Sequence, residues 1–131
     1  MSAITDYLEE AWLNTIRGIS FTPPTAVFIA LFNTAPTDNV PGTEPSDSVY
    51  ARQQVTFSAP VQEGVRGVIK NTAEIVFTTA TESWGTIGWI GLFDAATGGN
   101  MLWQGAVNTA KTVDIDDQVR FQADQLAITL E

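Results

Sequence analysis

The residues of this chain that could do chemistry are nearly all oxygen acids. Asp94 borders a glycine-rich turn, Asp114, Asp116 and Asp117 share the tetrapeptide DIDD, and Asp38, Glu44 and Asp47 stand in a proline-rich stretch. Two carboxylates at a set separation suffice for glycoside hydrolysis, one protonating the leaving oxygen while the other acts as base or nucleophile. The same hard oxygens suit calcium, yet neither acidic stretch has the ligand offsets around a central glycine that an EF-hand loop requires. Functional carboxylates sit in clefts with shifted pKa values, whereas acids at strand ends and turns are ordinarily solvated. With no histidine and no cysteine, a Ser-His-Asp triad, a cysteine nucleophile, a disulfide and the common zinc sites are all excluded. The expectation is a protein without catalytic residues, metal or cofactor.

The other conspicuous group is aromatic. Residues 87–107, IGWIGLFDAATGGNMLWQGAV, hold Trp89, Phe93 and Trp103 beside a glycine-rich turn. Such a cluster lines a ligand groove, stacks bases, or forms the interior of paired strands. Base stacking needs a positive groove, and this chain has 15 acidic against 6 basic side chains, a formal net charge of −9. That balance speaks against nucleic acid, whose binders neutralise phosphates with lysine and arginine, and against anionic membrane surfaces. Strand aromatics more often pack in a core or an interface.

These residues must be positioned by elements whose periodicity can be read along the chain. Residues 4–18, ITDYLEEAWLNTIRG, place Ile4, Leu8, Ala11, Trp12 and Ile16 at helical spacing. Asp6, Glu9 and Glu10 lie near the positive end of the helix dipole and Arg17 near the other, and Gly18 supplies a left-handed stop. Beyond Phe21 no helical stripe recurs. TPPTAVFIALFN enters a strand of about seven residues. Residues 33–49, NTAPTDNVPGTEPSDSV, read as a long exposed loop. YARQQVTFSA and NTAEIVFTTAT read as strands. WGTIGWIGLFD and NMLWQGAV form a hairpin around AATGG, with Ile87, Trp89, Gly91 and Phe93 on one face and Gly88, Ile90 and Leu92 on the other. Gly88, Gly91 and Gly105 leave flat places for large rings. In QVRFQADQLAITLE the apolar parity switches, so a turn or bulge at Asp124 and Gln125 must absorb the slip.

One helix and six or seven short strands define a mainly β chain, a β-sandwich or small barrel with one N-terminal α-helix. The length fits a single domain over 1–131, with the helix in 1–18 and the β core in 21–131. The longest apolar run, residues 26–32, falls far short of the roughly 20 residues that span a bilayer. MSAITDYLEE has neither the basic start nor the apolar core of a signal peptide, so synthesis in soluble form is expected.

The blocks also resemble a known family. IGWIGLFDAATGGNMLWQGAV resembles the GLFDA…GG…L…G hairpin of small tailed-phage virion proteins commonly labelled phage tail fibre protein. ITDYLEEAWLNTIRG resembles their opening helix, PTAVFIALFNTAPTD their first strand and loop, and YARQQVTFSAP the next strand. NTAEIVFTTATESWGTIGWIGLFDA is similar to their central block, and KTVDIDDQVRFQADQLAITLE to their terminal hairpin. The resemblance implies a non-enzymatic virion structural protein made in the host cytoplasm. Heptads, collagen-like triplets and repeats of a long fibre are absent, and the acidic surface is repelled by packaged DNA. The expectation is therefore an exterior capsid decoration or cement protein, with a tail or tail-fibre component, and a host-glycan-binding module within it, as the alternative. Expected partners are other virion proteins, the major capsid protein or tail proteins, and further copies in a homo-oligomer. Trp12, Ile16, Trp89, Phe93 and Trp103 are the interface candidates.

Overall fold

The computed structural model describes residues 3–130. Its elements run β1 (Ala3–Ile4), α1 (Asp6–Ile16), β2 (Val27–Phe32), β3 (Gln53–Val55), β4 (Val61–Glu63), β5 (Arg66–Lys70), β6 (Ile75–Val76), β7 (Gly85–Phe93), β8 (Met101–Val113), β9 (Arg120–Phe121) and β10 (Ala127–Leu130). Among the described residues strand makes up 39% and helix 9%, so the fold is mainly β with one helix. A five-stranded sheet in the order β1-β8-β7-β2-β3 is accompanied by a three-stranded sheet, β10-β5-β4, and by the pair β6-β9. All pairings are antiparallel. None of these sheets closes, which sets the barrel alternative aside.

The five-stranded sheet is apolar on both faces, as the alternation in β7 required. Cross-strand partners Leu31 and Ile90, Ile29 and Leu92, and Leu92 and Trp103 share one face. They join Ile75 and Phe77, Val119, Leu126 and Ile128 in the main core, so the large sheet and the two small ones bury a common layer. Ala30, Phe32, Phe93 and Met101 form a second cluster on the opposite face, with Trp89 packed against it. A Cβ at Gly91 would stand 2.8 Å from the Phe32 ring and 3.2 Å from the Met101 sulfur. That glycine is the flat place where a ring from the neighbouring strand lies. Gly88 serves no such purpose, since only the Ala110 methyl comes within van der Waals reach. Ile87 also departs from strict alternation: a register shift separates it from Trp89, and it joins Ile90 in the main core.

Other expectations change at the margins. Ile4 lies in β1, paired with Trp103, before the helix begins. β4 and β5 form a hairpin that weak alternation did not announce, and NTAEIVFTTAT contributes only the two residues of β6. The C-terminal segment is no hairpin with itself. β9 pairs with β6 and β10 with β5, and the slip is absorbed where Asp124 adopts a left-handed φ of 66°. Asn71, wholly buried, holds that corner: its amide donates to the Ala73 and Gln122 carbonyls, and its side-chain oxygen accepts from the Leu126 N–H.

Candidate interaction surface

The five interface candidates separate into two groups. Phe93, 2% exposed, and Trp103, 8% exposed, belong to the interior on opposite faces of the large sheet. Trp89 is half-buried against the second cluster. Trp12, 39% exposed, and Ile16, 82% exposed, stand on α1, where Leu13 is exposed too, as is Ile19 just beyond the helix. No residue of α1 is buried.

This helix is held by its ends. Before it, the Thr5 N–H donates to the Leu102 carbonyl and its hydroxyl to the Met101 carbonyl, so the hydroxyl is spent on the sheet and does not cap the helix. The Asp6 N–H is satisfied by the Asp38 carbonyl. At the far end Gly18 takes a φ of 88°, and the N–H groups of Gly18 and Ile19 reach back to the carbonyls of Thr15 and Asn14. This is a Schellman stop. The helix is thus firmly placed, with Leu8 and Ala11 half-buried and Trp12, Leu13 and Ile16 left exposed.

Several of the acidic side chains serve the fold. The 33–49 loop, read as exposed, is tied down at several points. Asp47 is buried and accepts from the Thr81 N–H and hydroxyl, the Glu82 N–H, the Val49 N–H and the Trp84 indole N–H. Burial by itself would raise this carboxyl, but hydrogen bonds from Thr81 and Trp84, with those from backbone N–H groups, outweigh it and hold the group well below the usual carboxylate range. Glu44 forms a bidentate pair with Arg52, at 3.1 and 2.9 Å, and accepts from the Tyr50 hydroxyl. That hydroxyl also receives the N–H of Leu31, which lies beyond the stretch where β3 pairs with β2. Burial, then the Glu44 contact, pushes the Tyr50 phenol far above its ordinary value. Arg52 completes the lid on the second cluster, its guanidinium 3.6 Å from the centre of the Phe93 ring while it donates to the carbonyls of Ala95 and Gly98.

Three further acids follow the same rule. Asp94 closes the hairpin turn by accepting from the Asn100 N–H and amide, Asp117 accepts from the Asp114 N–H, and Asp38 receives the amide of buried Gln104. Among the described residues no three acids gather closely enough to hold a metal ion.

The sequence reading missed a cleft of about 600 Å³ beside the outer half of β8. β7 has nine residues and β8 thirteen; Ile87 pairs with Lys111 and Trp89 with Ala106, so residues 107–110 bulge opposite Gly88 alone. Bulges of this kind bend a strand and re-aim its side chains. The cleft lies between the bulge and the 119–127 segment, with Trp103, Val107, Phe121 and Leu126 contributing apolar walls and Lys111 and Arg120 the charges. The excess in β8 appears only once the two arms are paired, so the sequence carried no signal for the cleft.

Residues 3–129 match the family model described as Podophage GP4 fiber I protein gp80. Among curated protein sequences no match reaches significance.

Proposed function

The chain belongs to the Podophage GP4 fiber I protein gp80 family, and on that premise we propose that it is a non-enzymatic subunit of the phage tail fibre. Membership makes it a fibre-related structural protein of the virion. The family match over nearly the whole chain is the observation that carries the proposal, and it favours the tail-fibre alternative over capsid decoration. The disposition of the acids supports a structural role, because the carboxylates described above act as acceptors for particular donors that close turns and anchor loops. The partner on the particle is another virion protein, which covers the strip of Trp12, Leu13 and Ile16. Burying such a strip removes apolar surface from water at roughly 25 cal/mol per Å².

Location and copy number in purified particles test this. Cryo-EM or labelling of the tagged protein is expected to find a small number of copies confined to the tail. Hundreds of copies spread over the shell would replace the fibre assignment by decoration.

A further inference from the structure

The cleft beside the bulge differs in charge from the rest of the molecule. The chain carries 15 acids and 6 bases, yet no acid lines the cleft, whereas Lys111 and Arg120 both do. Arg120 has a long contact with Glu74, 3.5 Å, on the exposed surface, and Lys111 makes no ion pair among the described residues. Two cations over an apolar floor of Val107, Phe121 and Leu126 form a receptor for an apolar group flanked by acids.

This chain presents such a group. The 114–117 turn, Asp-Ile-Asp-Asp, holds Ile115 61% exposed at its tip. The turn is rigid for its size: the Asp116 N–H donates to the Ala80 carbonyl, the Asp117 N–H to the Asp114 carbonyl, and the Asp114 N–H to the Asp117 carboxylate. Asp116 keeps a left-handed φ of 72°, and its carboxylate has no hydrogen-bond partner among the described residues. Anchoring at Ala80 fixes the turn to its own 80–84 segment. A preorganised apolar knob with acidic flanks loses little freedom on docking.

We propose that the cleft receives the 114–117 turn of a second copy of this chain, with Ile115 against Val107 and Phe121 and with Asp116 facing Lys111 and Arg120. Knob and cleft are neighbours on one molecule, the chain running from Lys111 through the turn to Arg120. A two-fold axis beside them therefore lets two copies exchange knobs within a single closed interface. A net charge of −9 makes copies repel each other generally, so association needs a local complement of this kind. The inference does not depend on where the protein sits in the particle, because it concerns the purified chain.

Sedimentation of the full-length protein at low salt tests it. Wild type is expected to dimerise with rising concentration, and more weakly as salt screens the charges. Lys111→Glu and Asp116→Lys, both at exposed positions and checked for unchanged melting, should each weaken the dimer about tenfold or more. Mixing the two variants should restore it, since every knob then meets a cleft of opposite charge. Ile115→Ser should weaken it without altering the salt dependence. A wild type that stays monomeric at its highest soluble concentration would overturn the proposal. So would association that neither charge reversal changes, or a mixture that fails to recover. If sialylated or uronic-acid oligosaccharides bound the wild-type cleft and not Lys111→Glu, with mass constant throughout, the cleft would be a small-ligand site and the proposal would be lost.

Discussion

The helix α1 and the 33–49 loop each depart in part from the place their composition assigns. The helix carries an apolar stripe of the sort that ordinarily faces a core, yet none of its residues is fully buried and Trp12, Leu13 and Ile16 stay exposed. The loop, full of proline, threonine and acids, ends fixed through a buried carboxylate to the 81–84 segment that leads into β7. The difference lies in the polar atoms. Thr5 ties the helix entry to β8 through its N–H and hydroxyl, and that entry fixes where the helix runs whatever its stripe faces. Asp47 meets an indole N–H, a hydroxyl and three backbone N–H groups, enough to offset its loss of water. Hydrophobic patterning says what a segment can bury; hydrogen bonds to distant residues say where the segment is held.

The largest effect is expected at Trp84, which is 2% exposed and joins the core to the loop. Trp84→Ala should cost about 3–5 kcal/mol by opening a cavity, and denaturant unfolding measures it. Trp84→Phe keeps most of the ring and removes the donor to Asp47, so its smaller cost, about 1–3 kcal/mol, isolates the loop anchor. A Phe variant as stable as wild type would mean the loop is held without that bond.

Leu92→Ala and Ile90→Ala, in the main core, should each cost about 2–5 kcal/mol, and the same melts report them. Values under about 0.5 kcal/mol, the range of surface changes, would remove the β7–β8 hairpin from the centre of the fold.

The acid limb of the stability curve sharpens the loop side further. Because the folded Asp47 carboxyl is held below its ordinary value of about 4, its contribution is fully present above that pH. It is lost progressively as pH falls below about 4 toward the folded value. The melting temperature of wild type should therefore fall more steeply with acid than that of Asp47→Asn. Parallel curves would show that Asp47 is not a principal acid-sensitive anchor.

The smallest effect on stability is expected on the helix. Ile16→Ser, at an 82% exposed position, should change the stability of the isolated protein by less than about 0.5 kcal/mol, while reducing its recovery in assembled particles. Truncating the first 18 residues is a poorer experiment, because it also deletes β1 and the bonds of Thr5 to β8.

The element types were legible where local rules act alone. Helical spacing, an acidic first turn and Gly18 marked α1 to within two residues, and the two apolar runs around AATGG marked the central hairpin. Phe93 and Trp103 read as interface candidates and are instead interior, because strand alternation puts apolar residues on both faces of β7 without saying what covers them. The coverings are long-range: Arg52 lies over Phe93 from a segment 41 residues away, and Gly42 of the acidic loop packs against Phe32. The cleft was illegible for a related reason, since a three-residue excess in one arm of a ribbon appears only once both arms are paired.

By itself, the sequence determined the chemical inventory: without histidine or cysteine, the chain was denied triads and thiolate sites whatever its fold. It also determined the mainly β character, because period-two runs and turn residues act through neighbours along the chain. It did not determine which acids are buried, which aromatics are bare, or that its few basic residues include two at one cleft. Those outcomes depend on partners tens of residues apart, and a carboxylate becomes an anchor or a solvated charge according to the donors that folding brings to it.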